Sequence, residues 1–106
     1  MSAAAQWLRT RLPEAPTRLM DVIVGAVPAE IAEIPDALAA GALGLYGAVL
    51  HGSGCREDAL ALLAADALLT HAFQAQAELD PSRIEDLARA WGAEGRLGRL
   101  VGEPHA

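Results

Sequence analysis

The chain has no lysine. All eight of its basic residues are arginine, and they stand against fourteen Asp and Glu for a formal net charge of −6. Such a surface repels nucleic acid, whose binding rests on neutralising phosphates, so no nucleic-acid partner is expected. There is a single cysteine, Cys55, which excludes an intrachain disulfide. As a nucleophile it would need a histidine and an activating environment; at a helix start in a small domain it reads as structural. Aromatics are scarce, at 4% of residues against 53% hydrophobic, so the core has to be built from Ala, Leu and Val. No apolar run reaches the about eighteen uninterrupted residues that a membrane-spanning helix needs, and the chain is not expected to be transmembrane. The N-terminus, MSAAAQWLRT, lacks the basic-then-apolar order of a secretion signal, and a cytoplasmic location is expected. No segment alternates polar and apolar residues as a strand would, and no internal repeat or low-complexity linker interrupts the chain.

What is present is helical. The segment from Cys55 to Leu79 is the longest run without Gly or Pro, and its Leu and Ala content carries high helix propensity. Leu60, Leu63, Ala67, Leu68, Ala72, Ala75 and Leu79 repeat at the three-and-four spacing of a buried stripe. Leu62, Leu69 and Phe73 widen that stripe, leaving a narrow polar line of Asp66, Thr70, Gln74 and Glu78. A helix apolar on most sides has to be surrounded, by its own chain or by a partner. The remaining elements follow from their punctuation. Residues 2 to 12 form a short helix with Ser2 as its cap and Ala4, Trp7, Leu8 and Leu12 on one face, stopped by Pro13 and Pro16. Thr17 caps a second helix, Arg18 to Val27, and AEIAEI between Pro28 and Pro35 forms a brief helical turn or connector with Ile31 and Ile34 inward.

A third helix runs from Asp36, and Gly41, Gly44 and Gly47 along it mark a seam where a neighbouring helix comes close. The loop His51-Gly52-Ser53-Gly54 ends it and offers Ser53 to cap the central helix, whose first turn holds Glu57 and Asp58. Asp80-Pro81 restarts the chain as a last helix to Trp91 that buries Ile84, Leu87, Ala88 and Trp91. Past Gly92 the helix continues broken or frayed. The expected fold is therefore one all-α domain over residues 1–106, a compact bundle of about four to five helices around a central helix at 55–79. Residues 1–16 supply an N-terminal helix and Pro-rich turn, and 103–106 a flexible tail.

Candidate chemistry is sparse. His51, His71 and His105 lie on three elements without the spacing of a local metal site, so no metal or cofactor is expected. GSGCRED lacks the lysine and the preceding strand of a phosphate-binding loop. The acidic groups Glu30, Glu33 and Asp36, and Glu57 with Asp58, read as solvated faces. Asp66 stands out because apolar residues flank it, and if buried it needs a donor or a proton. Thr70, one turn on, is the local candidate, and an arginine from another helix or subunit would be stronger.

The segment Ala59 to Phe73, ALALLAADALLTHAF, resembles the trans-isoprenyl diphosphate synthases, in which a helix of the form A-x-L-A-G-D-x-L-L-x-x-A-F follows the first aspartate-rich region. Leu62-Leu63-Ala64-Ala65-Asp66-Ala67-Leu68-Leu69 matches it apart from Ala65 in the Gly position. Ile84 to Gly98 is similar to the family segment L-A-x-A-x-G-x-x-G-M-V-G-G-Q, with Leu87-Ala88-Arg89-Ala90, Gly92, Gly95 and Gly98 in register. Ala48 to His51 is weakly similar to the helix end bearing the first catalytic motif. The resemblance covers roughly residues 37 to 103 and is strongest over 57 to 98.

The departures from the family decide what it implies. Gly52-Ser53-Gly54 stands where the family has D-D-x-x-D, and the second aspartate-rich motif does not occur in the 106 residues. The glutamine of Gly-Gly-Gln is lost at Gly98-Arg99-Leu100, and the diphosphate clamp G-G-K-R-x-R-P has no counterpart. Without carboxylates to hold magnesium, nothing neutralises a departing diphosphate. The resemblance therefore implies a non-catalytic helical protein of the isoprenoid synthase fold, working as a homodimer or as the small accessory subunit beside a catalytic prenyl diphosphate synthase. In that reading the region of Leu68, Leu69 and Phe73, with His51, Asp66 and Thr70 nearby, forms an interface or lines a cavity for an isoprenoid tail. One alternative is a stand-alone carrier of an apolar ligand held between the glycine-rich and central helices. Another is a divergent enzyme using Asp66, His51 and His71.

Overall fold

The computed structural model describes residues 2–54 and 56–102, and no strand occurs among them. The chain is an all-α bundle. Its helices are α1 (Ala3–Arg11), α2 (Thr17–Ala26), α3 (Ile34–Leu50), α4 (Arg56–Leu79), α5 (Ile84–Trp91) and α6 (Arg96–Gly102), with a 3-10 turn over Pro81–Arg83 leading into α5. Cys55 and the tail at 103–106 lie outside the described residues.

Local chemistry explains most of the boundaries. Ser2 caps α1, its Oγ accepting from the Ala5 N–H at 3.2 Å. Thr17, expected as a cap, is instead the first helical residue of α2, because Pro16 with φ −56° already delivers the chain into the helix and no side chain closes that end. Helix α3 starts at Ile34, two residues before Asp36, since Pro35 in the first turn forfeits only an N–H that has no intrahelical partner. Of the helical turn or connector expected over AEIAEI, the connector forms: residues 29–33 run as turn, irregular backbone and bend. At the head of α4, Asp58 reaches back to accept from the Gly54 N–H at 2.6 Å. Gly54 has φ +80°, a conformation that glycine alone adopts without strain. Asp80 Oδ1 accepts from the Ser82 N–H at 3.1 Å, and this tight turn makes the segment after Pro81 a 3-10 turn before the α-helix begins at Ile84. The break after α5 returns on itself so closely that a Cβ on Gly98 would lie 1.7 Å from the Ala93 carbonyl oxygen.

The centre of the molecule is the α3–α4 hairpin. Ala37, Ala39 and Ala42 of α3 and Ala64, Ala72 and Ala75 of α4 are completely buried, so two helices of mostly short side chains lie in close contact. Around that seam the four largest fully buried side chains are Leu8, Ile23, Leu38 and Leu68, one from each of the first four helices. Burying each leucine or isoleucine contributes about 1.5–3 kcal/mol. Of the three glycines expected to mark a seam, only Gly41 does: a Cβ there would meet the Ala26 carbonyl oxygen at 3.0 Å and Leu68 Cδ1 at 3.4 Å. Gly44 has nothing within 4 Å, and Gly47 has only Leu100 Cδ1 at 3.9 Å.

The buried stripe of α4 is shorter than its sequence pattern. Leu68, Ala72 and Ala75 are buried as expected, whereas Leu62, Leu63 and Leu79 are exposed and Leu60 is half-buried. Facing accounts for this. Leu62 stands one turn before Asp66, on the exposed line of Asp66, Thr70, Gln74 and Glu78, and Leu79 is the last residue of α4. Leu63 borders a cleft that the first turn of α2 only partly covers. Helix α1 reaches the C-terminal half of α4 through its side chains: Trp7 meets His71 edge-on at 6.1 Å and Arg11 pairs with Glu78. That guanidinium, by its hydrogen bond to the carboxylate, holds Glu78 below the usual range. At the other side of the hairpin the Trp91 Nε1–H donates to Asp36 Oδ1 at 2.8 Å, and Arg96 stacks over the same indole at 4.5 Å. Leu87 and Trp91 are the buried residues of α5; Ile84, expected inside, is exposed because it opens the helix at the bundle's rim.

Candidate functional site

The most distinctive polar contact joins the two hairpin helices. The Tyr46 hydroxyl of α3 donates to Asp66 Oδ1 of α4 at 2.5 Å. Asp66 is exposed rather than buried, on the same polar line as Thr70, Gln74 and Glu78, so neither a proton nor an arginine is required to hold it. Its donor is a phenol that the sequence pattern passed over. The signal was available: Tyr46 is the one polar-tipped side chain between Asp36 and the end of α3. Partial burial, the bond to Asp66 and the negative charge beside it push the phenol up to about 12 from its ordinary 10.0.

The histidines do not join Asp66. His51 follows the last residue of α3 and is exposed, its Nδ1–H donating to the Gly47 carbonyl at 2.8 Å. His71 is half-buried on α4, its Nδ1–H donating to the Ala67 carbonyl at 2.8 Å while the ring meets Trp7. Each ring is thus held by its own helix. Among the described residues no group of three His, Cys, Asp or Glu is placed to hold a metal ion; His105 lies outside them. Leu68 is fully buried, with Leu69 and Phe73 half-buried against the same core. At Gly41, α3 lies against the Ala26 backbone and Leu68.

Concave surface lies elsewhere. A cleft of about 670 Å³ opens between the start of α3, the end of α4 and α5, floored by Ile34, Pro35, Leu79 and Leu87. Glu33, Asp36, Asp80 and Asp86 line it against the single cation Arg83, and Asp36 is already engaged by the Trp91 indole. A second cleft, of about 220 Å³, opens between the first turns of α2 and α4, with Pro16, Leu19, Leu60 and Leu63 as its walls.

Exposed apolar surface gathers at the N-terminal half of α4. The Tyr46–Asp66 bond pairs the two helices across the hairpin, and one turn nearer the loop on each helix stand Leu50 and Leu62, exposed to 54% and 42%. Leu63, next along α4, is 55% exposed. No helix among the described residues is long and apolar enough to cross a membrane. The chain matches no family model, no curated protein and no solved structure.

Proposed function

We propose that this chain is a non-catalytic helical protein that works by association, presenting the N-terminal half of α4 to another helical chain. The observation that carries the reading is the exposure of Leu50, Leu62 and Leu63, three large aliphatic side chains near the loop end of the α3–α4 hairpin. Removing exposed apolar surface of this kind from water stabilises a complex by about 25 cal/mol per Å². The resemblance over residues 57 to 98 names the partner class: a catalytic prenyl diphosphate synthase subunit, beside which this chain is the accessory subunit.

The test is co-purification from the native host with a Leu62→Glu control. The wild-type chain brings down a longer chain bearing both aspartate-rich motifs, and the variant, folded by circular dichroism, does not. Recovery of the chain alone, as a monomer by light scattering, refutes association. Recovery as a dimer of itself removes the accessory-subunit role and leaves self-association.

A further inference from the structure

The cleft between the first turns of α2 and α4 combines two properties that a purely apolar interface lacks. Its walls are Pro16, Leu19, Leu60 and Leu63, and Arg18 and Arg56 are also in the lining. Neither arginine has an ion-pair partner among the described residues. The first turn of α2 carries no acidic residue and no side-chain cap, so the partial positive charge of that helix end adds to theirs. Glu57, also in the lining, supplies one negative charge against the two. On a chain of net charge −6 the lining of this greasy recess thus carries two arginines against one carboxylate; Asp58, also in the first turn of α4, is not in the lining and accepts from the Gly54 N–H.

Size narrows the occupant. At about 220 Å³ the recess falls short of the about 300 Å³ at which small-molecule pockets begin, and it suits one large side chain. We infer that it is the docking site for an acidic segment of a partner protein bearing a single bulky aliphatic or aromatic anchor. The anchor enters between Leu19, Leu60 and Leu63, and carboxylates beside it meet Arg18 and Arg56. Anchor side chains of this kind carry most of the binding energy in helix-in-groove complexes, while flanking charges set specificity and association rate. A short segment meets only the field within about 10 Å at 0.1 M salt, so the net negative charge of the whole chain does not bar it. An anionic membrane would press on the acidic surface as well. The inference rests on the association reading and assigns the chemistry of the partner.

Panning a random-peptide display library against the full chain tests it, with a folded Arg18→Glu/Arg56→Glu variant as counter-target. The expected outcome is enrichment of peptides with Asp or Glu around one Leu, Phe or Trp, binding about tenfold more weakly to the variant and more weakly as salt rises. Leu63→Ala weakens the same peptides without the charge change. Enriched peptides with no acidic bias, or retained equally by the charge-reversed variant, overturn the inference. So does a wild-type dimer that the variant dissociates, which gives the cleft to a second copy, or variant-sensitive sedimentation with phosphatidylserine vesicles, which gives it to a membrane. If Leu62→Glu abolishes association while Arg18→Glu/Arg56→Glu leaves it intact, the association reading stands and the acidic-partner inference fails. If neither substitution matters, the association reading itself fails.

Discussion

The Tyr46 phenol and the Asp66 carboxylate tie α3 to α4 by a 2.5 Å hydrogen bond on the open side of the hairpin. Its ionisation has a direct consequence for stability. The folded phenol titrates at about 12 rather than 10.0, so folding favours the neutral form. The contribution is whole below pH 10.0 and is lost as the pH rises through about 12. Tyr46 is the only tyrosine in the chain, which makes tyrosinate absorbance a clean readout. The wild-type midpoint is expected near 12, moving only part of the way toward the ordinary 10.0 in Asp66→Ala, because partial burial, the larger cause, remains. A wild-type midpoint at the ordinary value would show that the bond does not form in solution.

Truncations along α4 separate its buried and exposed leucines. Leu68→Ala removes a fully buried side chain and is expected to destabilise the fold by about 2–5 kcal/mol. Leu63→Ala, on the exposed half, is expected to stay within about 0.5 kcal/mol. Urea denaturation of the two variants checks the contrast, and equal losses would contradict the packing described.

Glycines three residues apart on α3 are expected to respond with opposite sign. Gly41→Ala forces a methyl against the Ala26 carbonyl, which a Cβ would meet at 3.0 Å, and destabilises by about 1–3 kcal/mol. Gly44→Ala meets nothing within 4 Å and stabilises by up to about 1 kcal/mol through helix propensity and a less flexible unfolded chain. Thermal melts of the pair decide it.

Acid dependence reports the attachment of α1. The hydrogen bond from Arg11 lowers the Glu78 pKa from 4.5, so its contribution is present above pH 4.5 and is lost as the pH falls through the depressed folded value. In Arg11→Met the melting temperature is expected to depend less steeply on pH below 4.5. An unchanged slope would mean that the pair adds nothing to folding.

The helical class and most element positions were legible because they depend on near-neighbour chemistry: Ser2 and Asp80 as caps, and the prolines at 13, 16, 28, 35 and 81. Periodicity also found Leu8 and Leu68 as interior. It misjudged Leu62, Leu63 and Leu79 of α4, because a repeat of three and four does not say which apolar residues a neighbour covers: Leu62 falls on the open line of Asp66, Thr70, Gln74 and Glu78, Leu63 borders a cleft that the first turn of α2 only partly covers, and Leu79 ends the helix. The glycine seam failed at Gly44 and Gly47 for a related reason: only Gly41 stands where the end of α2 crosses. The Asp66 donor was missed because a bond between side chains twenty residues apart depends on hairpin register, which no local pattern encodes.

The two indoles have a practical corollary. Trp7 reports on the joint between α1 and α4, through His71, and Trp91 on the joint between α5 and α3, through Asp36. Keeping one fluorophore at a time therefore turns the chain into its own pair of probes. Diverging emission curves would mean that the bundle comes apart piecewise from its flanks, and coincident ones that the hairpin releases both together.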